Sequence, residues 1–199
     1  MEEIAFDERG LAPCVVQDWR TGEVLTLAFM NADALARTRE TGETWFFSRS
    51  RNELWHKGES SGNVQHVRSL RYDCDSDSLL ALVEPSGPAC HTGERTCFHR
   101  GDLEPAPHEA IPALERTVAE RRVSVPASGS YTAELLADPP LIGRKVREEA
   151  EEVARAAAGE SDGRLGEEAA DVLYHLAVLL ATRGLAYPDA FEELNGRRR

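Results

Sequence analysis

The segment Asp73-Cys74-Asp75-Ser76-Asp77 sets three carboxylates and a thiol within five consecutive positions, and those residue types hold cations. It lies in an apolar-flanked run, residues 67–83, whose pattern predicts strands. Side chains alternate faces along a strand, which would turn Asp73, Asp75 and Asp77 to one side and Cys74 to the other. Carboxylates about 6–7 Å apart on one face repel each other unless a cation lies between them. Oxygen ligands suit a hard ion such as Mg²⁺, whereas a thiolate suits Zn²⁺. The expectation is two chemically different metal sites, back to back.

Cys90 and Cys97, with His91 beside the first, follow Cys74 within a short stretch. Their spacing is too wide for a zinc-finger knuckle. Three thiolates would leave the fourth zinc position open, which a catalytic zinc uses to lower the pKa of its water to about 7. The competing reading is a buried Cys74 acting as a small hydrophobe among incidental thiols. His91 is a candidate proton shuttle, and equally a group that orients a ligand. Upstream, residues 48–63 are dense in hydroxyls, glycines and cations, as in a loop that presents donors to a phosphate. Arg49, Arg51, Lys57 and Ser60 are its candidate substrate-binding residues; a solvated hairpin with a basic face is the alternative.

A second constellation lies near the C-terminal end. Read as a helix, residues 141–158 bring Lys145, Glu149, Glu152 and Ala156 into one stripe beside Ile142, Val146 and Val153. Along residues 165–182, Glu168, Asp171 and His175 border the apolar stripe of Ala169, Val172, Leu173, Leu176, Leu179 and Leu180. Charge beside an apolar stripe is costly to bury without a partner. Residues at i and i+3 project together, so Glu149/Glu152 and Glu168/Asp171 are two paired carboxylates. On packed helices they offer four oxygen donors to a Mg²⁺–pyrophosphate complex, with Lys145 placed to meet a phosphate and Glu148 adjacent as a further ligand.

The elements that position these groups fall into two halves. Residues 13–18, 23–29, 44–48, 64–75 and 79–84 read as short strands. One helix interrupts them, with Asn31 as N-cap and Gly42 just past its end. After residue 110 the pattern is helical almost throughout. The division is residues 1–104, a linker at 105–110, and residues 111–199: a β-rich α+β domain followed by an all-α domain. With 199 residues, 41% hydrophobic and 29% charged, the chain is long enough for two small cores. A net charge of −12 argues against a nucleic-acid-coating role. The acidic start Met1-Glu2-Glu3 lacks a signal-peptide layout, and no apolar run approaches membrane-spanning length. Four cysteines without such a signal favour the reducing cytoplasm. Cys14 reads as a core or surface thiol, and Arg197-Arg198-Arg199 as a solvated tail.

Ser48-Arg49-Ser50-Arg51, Leu54-Trp55-His56-Lys57-Gly58-Glu59-Ser60-Ser61-Gly62, the aspartate row, and Gly87-Pro88-Ala89-Cys90-His91-Thr92-Gly93 through Cys97-Phe98 strongly resemble phosphoribosyl-AMP cyclohydrolase. The resemblance implies a zinc enzyme of histidine biosynthesis that opens the adenine ring of its substrate by hydrolysis. It also implies a homodimer whose zinc site takes Cys74 from one subunit and Cys90 with Cys97 from the other, with Asp73, Asp75 and Asp77 as Mg²⁺ ligands. Ser130-Tyr131-Thr132, Lys145-Val146-Arg147-Glu148-Glu149-Ala150-Glu151-Glu152 and Glu168-Ala169-Ala170-Asp171-Val172-Leu173-Tyr174-His175 resemble phosphoribosyl-ATP pyrophosphohydrolase, of the all-α MazG type. That likeness implies release of pyrophosphate from a bound nucleotide at Mg²⁺, with Lys145 in a catalytic or phosphate-binding role. Asp138-Pro139-Pro140 stands where a looser glycine turn is expected ahead of the metal helix.

Overall fold

The computed structural model describes residues 4–123 and 130–198; Met1-Glu2-Glu3 and Arg199 lie outside the described residues. The chain divides into two compact units, Met1–Glu104 and Pro105–Arg199.

The first unit runs β1 (Ala12–Asp18), β2 (Val24–Met30), α1 (Ala32–Thr41), β3 (Trp45–Ser48), β4 (Glu53–His56), β5 (Gln65–Tyr72) and β6 (Leu79–Pro85). Its main sheet has the order β2-β1-β6-β5, with β1 and β6 parallel and the other pairs antiparallel. β3 and β4 form a separate antiparallel hairpin. Alternation explains which face is buried: Ala12, Cys14 and Val16 of β1 are fully enclosed while the residues between them are not. They pack with Leu79, Ala81 and Val83 of β6, Leu25 and Met30 of β2, Leu35 of α1 and Phe46 of β3. Cys14 is therefore a core thiol, and burial pushes its pKa up to about 12. The ends of α1 are as expected: the Asn31 side chain accepts from the Ala34 amide at 2.8 Å, and Gly42 closes the helix at φ 72°.

Two local expectations are corrected. The aspartate row is the turn between β5 and β6, not strand. The Asp73 amide donates to the Ser78 carbonyl at 3.2 Å and the Ser78 amide to the Asp73 carboxylate at 3.0 Å, while Ser76 takes a left-handed φ of 61°. Strand alternation thus does not govern these side chains. The polar stretch read as open loop contains strand β4, paired to β3 from Trp45↔His56 to Ser48↔Glu53.

The expected linker ends inside the second unit, where a 3₁₀ turn at Pro107–Glu109 runs into α2 (Ala110–Val123). Proline's fixed φ suits a first helical position. α3 (Tyr131–Ala137), α4 (Pro139–Gly159), α5 (Asp162–Thr182) and α6 (Tyr187–Gly196) follow. α4 and α5 form a hairpin through Glu160 and Ser161. Asp138 secures the entry to α4 by accepting from the Leu141 amide at 2.9 Å, with Pro139 in the first turn. Val118, Leu135, Ile142 and Val178 make the core. Among the described residues no single helix is long and apolar enough to cross a membrane.

Candidate active sites

In the first unit, the loop bearing Cys90 and Cys97 is tied to strand β2. The Cys97 amide donates to the Leu25 carbonyl at 2.8 Å and the Thr96 hydroxyl to the Val24 carbonyl at 2.8 Å. Within the loop, the amides of Ala89 and Cys90 donate to Arg95 and Glu94, and Gly93 turns the chain at φ 88°. Cys90 is thereby buried and Cys97 exposed. The Thr92 hydroxyl donates to the Cys90 sulfur at 3.0 Å, and His91 Nδ1 and His99 Nε2 each stand 3.9 Å from it. Hydrogen bonds from the Thr92 hydroxyl and amide lead the stabilisation of the thiolate, ahead of opposing burial, and pull its pKa down to about 6.

These sulfurs open into a cavity of about 520 Å³ whose wall includes Arg51, Trp55, Lys57, Ser60 and His91. Lys57 is only 6% exposed, and its ammonium donates to the Asn63 carbonyl at 3.1 Å. Burial lowers its pKa, while the nearby Cys97 and Cys90 pull the other way. Gly58 makes the following turn fit: a Cβ there would stand 2.4 Å from the Val64 nitrogen. Arg49 is not on this wall. Its guanidinium lies 3.8 Å from the centre of the Phe29 ring, in a neighbouring cleft that Arg51 also lines.

The β5–β6 turn gathers the three aspartates more tightly than a strand would. One oxygen of each of Asp73, Asp75 and Asp77 lies within 4.8 Å of the others, all three residues exposed. Burial raises the Asp73 pKa, but hydrogen bonds from Ser78 and Asp77 outweigh it and leave the carboxyl below its ordinary range. Cys74 is exposed in the same turn, and among the described residues its sulfur does not join Cys90 and Cys97 in a common cluster.

In the second unit, the α4–α5 hairpin brings carboxylate oxygens of Glu149, Glu152 and Glu168 within 4.8 Å of one another. Glu168 is 2% exposed and Glu149 9%. Burial pushes the Glu168 pKa up; Arg164 opposes this, but Glu152 and Asp171 add to it and the group stays above the ordinary range. Asp171, one turn further along α5, is exposed and outside the cluster. Glu148 is also outside it, paired with Lys145 at 2.8 Å, a contact that heads the causes raising the Lys145 pKa.

Three further side chains surround this cluster, of which Arg155 pairs with Glu152 at 3.1 Å. His175, 5% exposed, donates from Nδ1 to the Asp171 carbonyl at 2.8 Å, so Nε2 accepts from the Tyr131 hydroxyl at 3.3 Å. The same Nδ1 lies 3.7 Å from Glu149. Arg164 contacts Glu168 directly and stands 3.9 Å from Glu152. His175 borders the apolar stripe in the sequence; Arg164 precedes the stripe, and its i,i+4 spacing to Glu168 is the signal that could have found it.

The phosphoribosyl-AMP cyclohydrolase family model matches residues 26–99, and the phosphoribosyl-ATP pyrophosphohydrolase family model matches residues 111–198. The chain is 50% identical over 200 residues to the histidine biosynthesis bifunctional protein HisIE of Bacillus subtilis (strain 168), covering 98% of this chain and 95% of the relative. It is 47% identical over 206 residues to the protein of the same name from Thermosynechococcus vestitus, covering 100% of this chain and 96% of that relative. The HisIE of Gloeobacter violaceus is 50% identical over 204 residues, covering 100% of this chain and 92% of its own. With both family models matched in this order and full-length likeness throughout, the chain belongs to the bifunctional HisIE family of histidine biosynthesis, which joins a cyclohydrolase to a pyrophosphohydrolase.

Proposed function

We propose that the two reactions of this bifunctional hydrolase run at the two centres described: pyrophosphate release at the carboxylates of α4 and α5, and ring opening in the cavity beside Cys90. The C-terminal domain converts phosphoribosyl-ATP to phosphoribosyl-AMP and pyrophosphate, and the N-terminal domain opens the adenine ring of phosphoribosyl-AMP by hydrolysis. Chain order is opposite to reaction order. The observation that carries this reading is that each domain gathers the donor set its reaction needs: a lowered-pKa thiol on a cavity in one, partly buried converging carboxylates in the other.

The donor chemistry fits the metals. Cys90 is poised as a thiolate, the form that binds zinc, and Cys97 lines the same cavity. Cys90 and Cys97 would hold zinc together with Cys74 of the partner subunit, which makes the working unit a homodimer. When bound, zinc supplies the Lewis acidity that makes water nucleophilic near neutral pH. The buried Lys57 ammonium offsets the thiolate charge, while Arg51 and Ser60 on the same wall present donors to the substrate phosphate. Arg49 in the adjoining cleft adds a cation at its edge. Trp55 offers a flat face to the adenine, and His91 moves a proton from the attacking water toward the ring nitrogen whose bond to carbon breaks. Asp73, Asp75 and Asp77, converging and exposed, would hold Mg²⁺ and with it ribose or phosphate oxygens.

In the second domain Glu149, Glu152 and Glu168 would hold Mg²⁺, with Asp171 as the i+3 neighbour of Glu168 completing the set. When bound, Mg²⁺ supplies the positive charge that neutralises the triphosphate. Tyr131 and the Asp171 carbonyl hold the His175 ring beside Glu149, and Lys145 meets a phosphate in exchange for Glu148. The reducing cytoplasm suits a chain whose four cysteines are all free.

Incubation with phosphoribosyl-ATP, Mg²⁺ and Zn²⁺, following pyrophosphate and the ring-opened product, tests the assignment. Both products are expected, and a protein that yields neither overturns it. Mixing the Cys74→Ser and Cys90→Ser variants tests the shared zinc site. Each alone is expected to be inactive in ring opening, and subunit exchange restores activity; a mixture as inactive as its components refutes sharing.

A further inference from the structure

Cations already sit on the carboxylates of Glu152 and Glu168. Arg155 on α4 pairs with Glu152 at 3.1 Å and stands 3.9 Å from Glu160. Arg164, in the first turn of α5, contacts Glu168 through Nη2, and the same nitrogen stands 3.9 Å from Glu152. Its Nη1 binds Glu167 at 3.0 Å, and Nε stands 3.9 Å from Glu160. The side chain is 47% exposed, so one side of the guanidinium rests on the cluster and the other faces outward.

A divalent ion needs oxygens of these same carboxylates at about 2.0–2.6 Å and carries twice the charge, so the ion and the guanidinium compete for them. The ion wins the buried oxygens. Displacement does not send the arginine away, because Glu167 and Glu160 retain it at the rim of the centre. A guanidinium so placed presents planar paired donors, a geometry that matches two oxygens of a phosphate. We propose that Arg164 is a substrate-binding residue of the pyrophosphohydrolase centre: seated on Glu168 and near Glu152 in the metal-free protein, it yields to the divalent ion and turns to the phosphates of the bound nucleotide. The proposal rests on the reading that this cluster is the Mg²⁺ site.

The test uses the full-length protein and two readouts. The first is Mn²⁺ binding without substrate, followed by electron paramagnetic resonance. The difference between wild type and Glu168→Gln isolates this site from the aspartate turn. The second is the KM and kcat for pyrophosphate release from phosphoribosyl-ATP. Arg164→Gln removes the cation seated on Glu168 and leaves Arg155 on Glu152, so Mn²⁺ is expected to bind about five-fold more tightly, within the range of a multiply bridged surface pair. KM is expected to rise about ten-fold with kcat nearly unchanged, the signature of lost binding shared by ground and transition states. Arg164→Lys, which keeps the charge but not the paired donors, should restore Mn²⁺ affinity to wild type and KM only in part. Arg147→Gln, which removes the same charge from an exposed position of α4, should move neither. Unchanged Mn²⁺ affinity or unchanged KM in Arg164→Gln overturns the proposal while leaving the metal site intact. Wild type and Glu168→Gln binding Mn²⁺ alike removes the metal site itself and the proposal with it.

Discussion

Replacing Thr92 by Val removes the hydroxyl that heads the causes of the low Cys90 pKa while keeping its volume. With the hydroxyl in place the thiol titrates at about 6, against an ordinary 9.0, so at pH 7 about 90% is thiolate, whereas an unperturbed thiol would be about 1%. His99 and Cys97 still support the thiolate after the change, and the Thr92 amide still donates. The inflection is therefore expected to climb well above 6 without reaching 9.0, so that the thiolate fraction at pH 7 falls. The assay is alkylation of the metal-free protein by iodoacetamide across pH 5–10, with Cys90 followed by site-resolved mass spectrometry. The position of the inflection is the readout rather than one rate, because a thiolate of higher pKa is intrinsically more nucleophilic. Thr92→Ser, which keeps the hydroxyl, should retain the low inflection. An inflection in Thr92→Val that coincides with wild type, or one in Thr92→Ser that follows Thr92→Val, refutes the assignment of that hydrogen bond as the cause.

Two other changes have equally definite outcomes. The buried Cys14 thiol has a folded-state pKa of about 12 against 9.0 unfolded, so its contribution to stability is complete below pH 9 and is lost as pH rises from 9 toward 12. Cys14→Ala should flatten that alkaline fall in urea unfolding while lowering stability at pH 7 through the small cavity it leaves. His175→Phe strips the Tyr131 hydroxyl and the Asp171 carbonyl of a buried partner and should cost about 1–3 kcal/mol of stability. The same change should sharply lower pyrophosphate release and spare ring opening of supplied phosphoribosyl-AMP; comparison of the two assays with thermal unfolding checks it.

Much of this architecture is legible in residue order, and the exceptions have physical reasons. Asn31 and Gly42 mark α1 because an N-cap and a left-handed C-cap have few competent residues. Ala12, Cys14 and Val16 reveal β1 by alternation, and Ile142, Glu149 and Ala156 share the buried face of α4 at helical spacing. The aspartate row misleads because apolar flanks extend the strand pattern and the left-handed position is filled by Ser76, not by glycine or asparagine. Strand β4 hides because Glu53 and His56 carry the polarity of a loop, and only pairing with β3 makes them strand. The surroundings of Cys90 are legible in part. His91 is its neighbour in sequence, but His99 reaches it from nine residues away, and no periodicity announces that approach. Arg164 is legible in part as well: its i,i+4 spacing to Glu168 is in the sequence, while its approach to Glu152 on α4 depends on how two helices meet.

Separating the reactions by substitution is the most direct measurement. Glu152→Gln and Cys90→Ser are each supplied with phosphoribosyl-ATP and, separately, with phosphoribosyl-AMP, and pyrophosphate and ring-opened product are quantified. Glu152→Gln is expected to release no pyrophosphate yet open the ring of supplied phosphoribosyl-AMP, while Cys90→Ser releases pyrophosphate and accumulates phosphoribosyl-AMP. Loss of both reactions in either variant, with folding intact, would contradict two independent centres on one chain.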